Sequence, residues 1–280
     1  MEKKKIRMFA TDLDGTLFSG WAKVSQRAAD DLRNMRRSGI IVVLCTGRPF
    51  YSVRRNVPDD IYDYAICTNG QDIYDSRTKT HIYGSVLEKE DMELLCTLME
   101  KYPMVMEAVW DDQTHHFASM LYRPFLTAAR KAGTLYKRLQ GKYYSFTEIS
   151  SHREELTSRT FGKVCFASFH FVLAKAQSRL DPRRYSAFYT NPMWIEIMRA
   201  DVSKGSALRS VMEKENISPA DSACAGDGEN DLPMMQECAV RIAMANAMPS
   251  VRKHATDVCG HCRKDGLAQW LEEHIDFMQE

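Results

Sequence analysis

The sequence predicts an α/β protein: a Rossmann-like core with a mainly parallel sheet, interrupted by an inserted α+β domain. Three observations predict it. Short apolar, β-branched runs alternate with helix-period stripes at both ends of the chain. Between them the texture changes to strand pairs interleaved with helices. Clusters of Asp, Gly, Thr and Asn follow directly on the apolar runs, where an open parallel sheet binds its ligands.

Residues 6–11 predict the first strand. Residues 25–38 predict a helix, with Ser25 as N-cap, Ala28, Leu32 and Met35 as its buried stripe, and Gly39 as its stop. Residues 40–45 are continuously apolar, the pattern of a strand covered on both faces. A similar run at 64–67 ends in Thr68-Asn69-Gly70, and two short strands follow at 72–74 and 81–83. After Gly84 a helix is expected over 88–102, with Met92, Leu95, Met99 and Tyr102 on one face. Strands at 104–110 and 116–122, a basic helix at 124–140, a strand at 160–169, a helix at 171–180 and strands at 185–189 and 193–198 complete this region. The α/β alternation then resumes: helix 204–214, strand 222–225, helix 230–238, strand 240–243, and a final helix capped by Asp265 and running through Met278. The expected organisation is a discontinuous core, residues 1–83 and 199–280, with residues 84–198 inserted.

Bulk properties exclude several classes. A net charge of +1 gives no basic footprint for a dedicated nucleic-acid binder. No apolar run approaches the length that spans a bilayer. Met1-Glu2-Lys3-Lys4-Lys5 has the charge of a signal-peptide start but lacks the apolar stretch behind it, so a cytoplasmic protein is expected. The eight cysteines read as reduced, buried small hydrophobes.

The first strand runs into Asp12-Leu13-Asp14-Gly15-Thr16-Leu17. Strand alternation places Asp12 and Asp14 on one side. Two carboxylates at the mouth of a buried strand are costly without a cation between them. The following glycine and hydroxyl turn the chain and offer backbone N–H groups to an anion. The alternative is an ordinary Asp-Gly turn. Three further segments join it: Thr46-Gly47-Arg48 and Gly226-Asp227-Gly228-Glu229-Asn230-Asp231, each following an apolar run, and Lys204-Gly205, which opens a helix. Each has a plain reading as a turn, a helix start or an Asx cap. Their combination, in this order, is specific.

With these motifs the chain resembles the haloacid dehalogenase superfamily of phosphatases, in particular Cof-type members with a class II, subtype B cap. Ala243-Met244-Ala245-Asn246-Ala247 and Asp265-Gly266 are similar to supporting motifs of that group. Gln71, Ala245 and Cys262 depart from it, standing where Ala, Gly and a nearby Asn are usual. The resemblance implies a phosphomonoester hydrolase that acts on a small phosphorylated metabolite. Asp12 would be the nucleophile and form an aspartyl-phosphate, and Asp14 the general acid and base. Leu13 and Gly47 would hold the phosphoryl oxygens by backbone N–H groups, with the Thr46 hydroxyl, Asn230 and Lys204. Mg²⁺ would be held by Asp12, the carbonyl of Asp14 and Asp227. Asp231 would orient Lys204 or a metal-bound water; Arg48 is either a contact to the leaving group or one half of a surface ion pair. The inserted domain would close as a lid and select that group.

Other readings weigh against specific residues. Within the superfamily the alternative is a phosphomutase or phosphotransferase; outside it, a non-catalytic phospho-acceptor or regulatory binding protein. Cys259-Gly260-His261-Cys262 has the spacing of a redox pair but lacks the surrounding sequence of one. His254 with these cysteines fits no common zinc spacing, and adjacent His115 and His116 on a strand face opposite ways. The basic residues Arg123, Arg130, Lys131, Lys137, Arg138 and Lys142 form either a second anion subsite or the solvated face of a helix.

Overall fold

The computed structural model describes residues 3–20, 23–110, 113–118, 146–148 and 152–277. The chain divides into two compact units, Met1–Gly84 with Val202–Glu280, and Ser85–Asp201.

The first unit is built on an eight-stranded sheet. Its order is Asp257–Val258, Val240–Ala243, Ser222–Gly226, Met8–Thr11, Ile41–Cys45, Tyr64–Cys67, Asp72–Asp75 and Thr80–Tyr83. The first six strands are parallel, and the last two turn back as an antiparallel extension. Met8, Phe9, Ala10, Val42, Val43, Leu44 and Ala223–Ala225 are fully buried, which is why these strands read as unbroken apolar runs. Ser25 caps the helix Gln26–Arg37 by accepting from the N–H of Ala28 at 3.1 Å. That helix packs beside Gly266–His274, and Lys204–Lys214 packs beside Leu232–Glu237.

The second unit carries a six-stranded sheet, ordered Phe146–Glu148, Gln113–Ala118, Val105–Trp110, Val164–Ala167, Trp194–Arg199 and Tyr185–Asn191. All neighbours are antiparallel except the first pair. One face, with Met106, Phe117, Val164, Phe166, Ile195 and Ile197, buries itself with Met92, Leu95, Met99 and Leu173 from the helices. Glu107, His116, Cys165 and Glu196 alternate onto the other face. The parallel core and this separate, mainly antiparallel sheet are the α/β architecture that the sequence predicts.

Several elements differ from expectation. The strand expected over 160–169 is confined to Val164–Ala167, and the short helix Arg153–Thr157 precedes it. The final helix stops at His274, because Ile275 and Asp276 turn to pair with Lys4. Asp265 does not cap that helix with its side chain; it takes the left-handed conformation at φ 52°. The helices Phe50–Asn56 and Pro249–His254 were not foreseen. The basic helix expected at 124–140 lies outside the described residues, as do its charged side chains.

Candidate active site

The strand Met8–Thr11 ends one residue before Asp12, whose N–H is fixed to the carbonyl of Ala225 on the neighbouring strand at 3.0 Å. Leu13–Leu17 then coils tightly around Gly15, at φ +80°. A Cβ at Gly15 would fall 2.1 Å from Asp227 Oδ2, so only glycine lets this turn approach the opposite loop.

The centre of the site is Lys204, the first residue of the helix Lys204–Lys214. It is 1% exposed, and its Nζ donates to Asp12 Oδ1 at 2.7 Å and to Asp231 Oδ1 at 2.6 Å. Asp231 is held in turn by the N–H groups of Asp227 and Gly228, which donate to its Oδ2 at 2.9 and 3.0 Å. Asp227 receives Thr16 Oγ1 at 3.5 Å and Asn246 Nδ2 at 3.2 Å. The same Asn246 amide donates to the carbonyl of Gly15 at 2.7 Å, and its Oδ1 accepts from the N–H of Cys262 at 3.1 Å.

Charge in this cluster is unbalanced. Asp12, Asp227 and Asp231 bring carboxylate oxygens within 4.8 Å of one another. Burial pushes the Asp12 carboxyl well above its usual range against the pull of Lys204, with Asp231 adding to the push. Burial and then Asp231 raise Asp227 to about 6. Burial works against the Lys204 ammonium, but Asp12 and Asp231 outweigh it and hold the group charged. One ammonium among three crowded carboxylates, all oxygen donors, is a setting that fits a hard divalent cation.

A second string of side chains runs beside this cluster. The Thr46 carbonyl accepts from the N–H of Asn69 at 2.9 Å, and Asn69 Oδ1 accepts from Asn230 Nδ2 at 3.0 Å. Gly47 lies against the same amide: a Cβ there would sit 3.2 Å from Asn69 Oδ1. The Thr46 hydroxyl accepts from the N–H of Arg48 at 3.1 Å.

Asp14 pairs with Arg48. Its side chain is 56% exposed and turned to Arg48, whose Nε and Nη2 donate to its two oxygens at 2.5 and 2.6 Å. The strand ends at Thr11, so Asp14 stands in the turn Leu13–Leu17 and not on the strand. Arg48 also donates to Ser52 Oγ at 3.2 Å and lies 5.1 Å from the Phe18 ring centroid.

The structure thus brings Asp12, Lys204, Asp227 and Asp231 into one cluster, and Thr46, Gly47 and Asn230 into a string joined by Asn69. Sequence reasoning did not assign Asn69, Asn246 or Thr16 to the site. Asn69 had a usable signal, since it follows the apolar strand Tyr64–Cys67 as Thr46 follows Ile41–Cys45. Cys259 and Cys262 are free and buried; burial pushes the Cys259 thiol up to about 12 and also raises Cys262, the reverse of a reactive redox pair. His116 Nε2 pairs with Glu107 Oε2 at 3.0 Å. Among the described residues, the aspartate cluster is the one group of His, Cys, Asp and Glu close enough to share a metal ion.

A family model described as haloacid dehalogenase-like hydrolase matches residues 9–271. YxeH of Bacillus subtilis is 28% identical over 280 residues, covering 96% of this chain and 98% of its own. The pyridoxal phosphate phosphatase YbhA of Escherichia coli is 26% identical over 289 residues, with the same two coverages, 96% and 98%. Among solved structures, BT1666 of Bacteroides thetaiotaomicron, studied as one of the phosphatases of that superfamily, superimposes with a TM-score of 0.81 at 22% identity. The match covers 96% of this chain and 95% of that one, and it speaks for the fold.

Proposed function

The chain belongs to the haloacid dehalogenase-like hydrolases, and from that premise we propose that it is a Mg²⁺-dependent phosphomonoesterase working through an aspartyl-phosphate on Asp12. The observation that carries this reading is the buried Lys204 ammonium bridging Asp12 and Asp231 at 2.7 and 2.6 Å. It fixes one oxygen of Asp12 and sets a positive charge where a phosphoryl group would accumulate negative charge. The second oxygen of Asp12 attacks phosphorus; an O–P bond forms there as the bond to the leaving oxygen breaks.

Asp12, the carbonyl of Asp14, and Asp227 would hold the Mg²⁺ ion, with Asp231 kept for Lys204 by its bonds to the Asp227 and Gly228 amides. The ion supplies charge neutralisation for the incoming phosphoryl oxygens. Thr46, Asn230 and the N–H groups of Leu13 and Gly47 bind those oxygens. Asp14 delivers a proton to the leaving alkoxide and then takes one from a water whose oxygen bonds to phosphorus as the bond to Asp12 breaks. Both oxygens of Asp14 now accept from Arg48, and a protonated carboxyl cannot accept that fork at its O–H, so Arg48 must release at least one of them.

The substrate is a small phosphorylated metabolite. The activity of YbhA on pyridoxal phosphate supports that class. Phosphate release from an aryl phosphate tests the reading: it should need Mg²⁺ and vanish in Asp12→Asn. Undiminished release by that variant at matched purity would sink the assignment. A panel of sugar phosphates, nucleotides, flavin mononucleotide and pyridoxal phosphate then ranks substrates.

A further inference from the structure

Three consecutive residues in the first unit hold positive φ angles: Thr68 at 48°, Asn69 at 56° and Gly70 at 108°. A β-branched threonine in that region is strained, and strain of this kind persists only where the surroundings enforce it. The enforcement is visible on both sides. Asn69 is fixed to Thr46 and Asn230. A Cβ at Gly70 would fall 2.2 Å from the carbonyl of Ser203, the residue that caps the Lys204 helix.

The next residue, Gln71, is 6% exposed and grips Gly84 twice. Its carbonyl accepts from the N–H of Gly84 at 2.7 Å, and its Nε2 donates to the carbonyl of Gly84 at 2.9 Å. Gly84 is where the chain leaves the first unit, and Val202 is where it returns. The two points adjoin: a Cβ at Gly84 would meet Val202 Cγ2 at 3.2 Å and the carbonyl of Gly70 at 3.4 Å. Both chain crossings therefore abut one strained turn, with Asn69 two residues before Gln71 and Lys204 two residues after Val202. Gln71 Oε1 is buried and has no hydrogen-bond partner among the described residues.

We propose that Gln71 is a positioning residue that couples the turn at Asn69, bonded to the phosphate-binding Asn230, to the chain crossings at Gly84 and Val202. The coupling rests on the phosphatase reading. A bound phosphate competes for Asn230 Nδ2, Asn69 loses that donor, and the strained turn readjusts. Gln71, bonded to Gly84 through both main chain and side chain, passes the readjustment to the crossings.

The test uses inorganic phosphate with Mg²⁺ on the full-length protein, with binding measured by calorimetry and the crossings followed by amide hydrogen exchange. Phosphate should slow exchange in segments 84–87 and 202–204 by roughly fivefold or more, the lower range of ordinary site coupling. Gln71→Met keeps the side-chain volume and the backbone bond but removes the amide. It should bind phosphate within about twofold of the parent yet lose most of that protection. Gln71→Ala, which needs only that a side chain be shortened, should behave in the same way and serves if the methionine variant does not fold. Equal protection in parent and variants overturns the proposal. So does phosphate binding to the parent without protection at the crossings. Failure of the parent to bind phosphate overturns the coupling alone, whereas the phosphatase reading falls separately if Mg²⁺-dependent phosphate release survives Asp12→Asn.

Discussion

Asp12 in the first unit and Asp91 in the second are both carboxylates withdrawn from water and both touch cations, yet their surroundings differ in charge balance. Asp91 is fully buried and accepts from Arg184 Nε at 2.6 Å, Tyr185 OH at 2.7 Å, the N–H of Glu88 at 2.9 Å and Arg199 Nη1 at 3.5 Å. One carboxylate thus has two guanidinium groups and two further donors. Burial pushes the Asp91 carboxyl up, but Tyr185, the Glu88 N–H and Arg184 outweigh it and hold it below the usual range. Around Lys204 the proportion is reversed, with three carboxylates near one ammonium. The Asp91 cluster is complete and has the character of a structural node in its capping box. The Asp12 cluster carries surplus negative charge, which is what a site for a cation and a phosphoryl group needs.

The largest expected effect is at the ammonium. Lys204→Met should lower kcat/KM for the phosphomonoester roughly a thousandfold, by removing a charge aimed at the reacting group. It should also destabilise the protein by about 3–5 kcal/mol, because the buried carboxylates lose the ammonium that bridges them. Steady-state kinetics and urea unfolding measure both. Activity within tenfold of the parent would break the distinction between the clusters.

Asp91→Asn tests the other side. Replacing a carboxylate by an amide there should cost about 3 kcal/mol of stability, since charged hydrogen bonds are lost from a buried site. The sign of the pH dependence follows from the lowered pKa. The contribution is fully present above the usual carboxylate pKa of 3.8 and is lost as pH falls through the lower folded value. The difference between parent and variant should therefore shrink in acid, read from urea midpoints between pH 7 and pH 3. A variant as stable as the parent at neutral pH would show that the cluster is not a node.

Mg²⁺ sharpens the comparison further. At about a hundred times its dissociation constant it should stabilise the protein by about 2.7 kcal/mol. Asp227→Asn should remove most of that gain while Asp91→Asn leaves it in place. Thermal unfolding against Mg²⁺ concentration reads the result, and a midpoint indifferent to Mg²⁺ in the parent would contradict a cation site at Asp12.

What was legible in the sequence follows from burial. Residues 8–11, 41–45, 64–67 and 222–226 are covered on both faces, so their strands appear as unbroken apolar runs. The pairs Phe18–Gly20 with Lys23–Val24, and the strand Asp257–Val258, are too short to carry a period. In the site, Asp12, Thr46 and Asp227 could be placed because each follows a readable strand. Asn246 lies three residues beyond Val240–Ala243 and gains its place through contacts to Gly15, Asp227 and Cys262, all remote in sequence or in another loop. The pairing of Asp14 with Arg48 was not legible, because the two lie 34 positions apart and Asp14 stands in a turn beyond the strand's end.

Asp31 offers the smallest and most selective test, a buried carboxylate with neither arrangement. It sits on the helix Gln26–Arg37 at 5% exposure, and its Oδ2 has no hydrogen-bond partner among the described residues. Burial, with the charge of Glu272 next in importance, pushes its pKa up to about 7 against the pull of Arg27. Folding thus disfavours the ionised form. Stability from this group is fully present below the usual value of 3.8 and is lost as pH rises through about 7. Asp31→Asn cannot ionise, so it should gain about 1–2 kcal/mol over the parent at pH 8 and little at pH 4.5. Urea unfolding at the two pH values decides it. An equal gain at both would mean that the benefit comes from packing, and that Asp31 does not titrate between the balanced and the surplus cases.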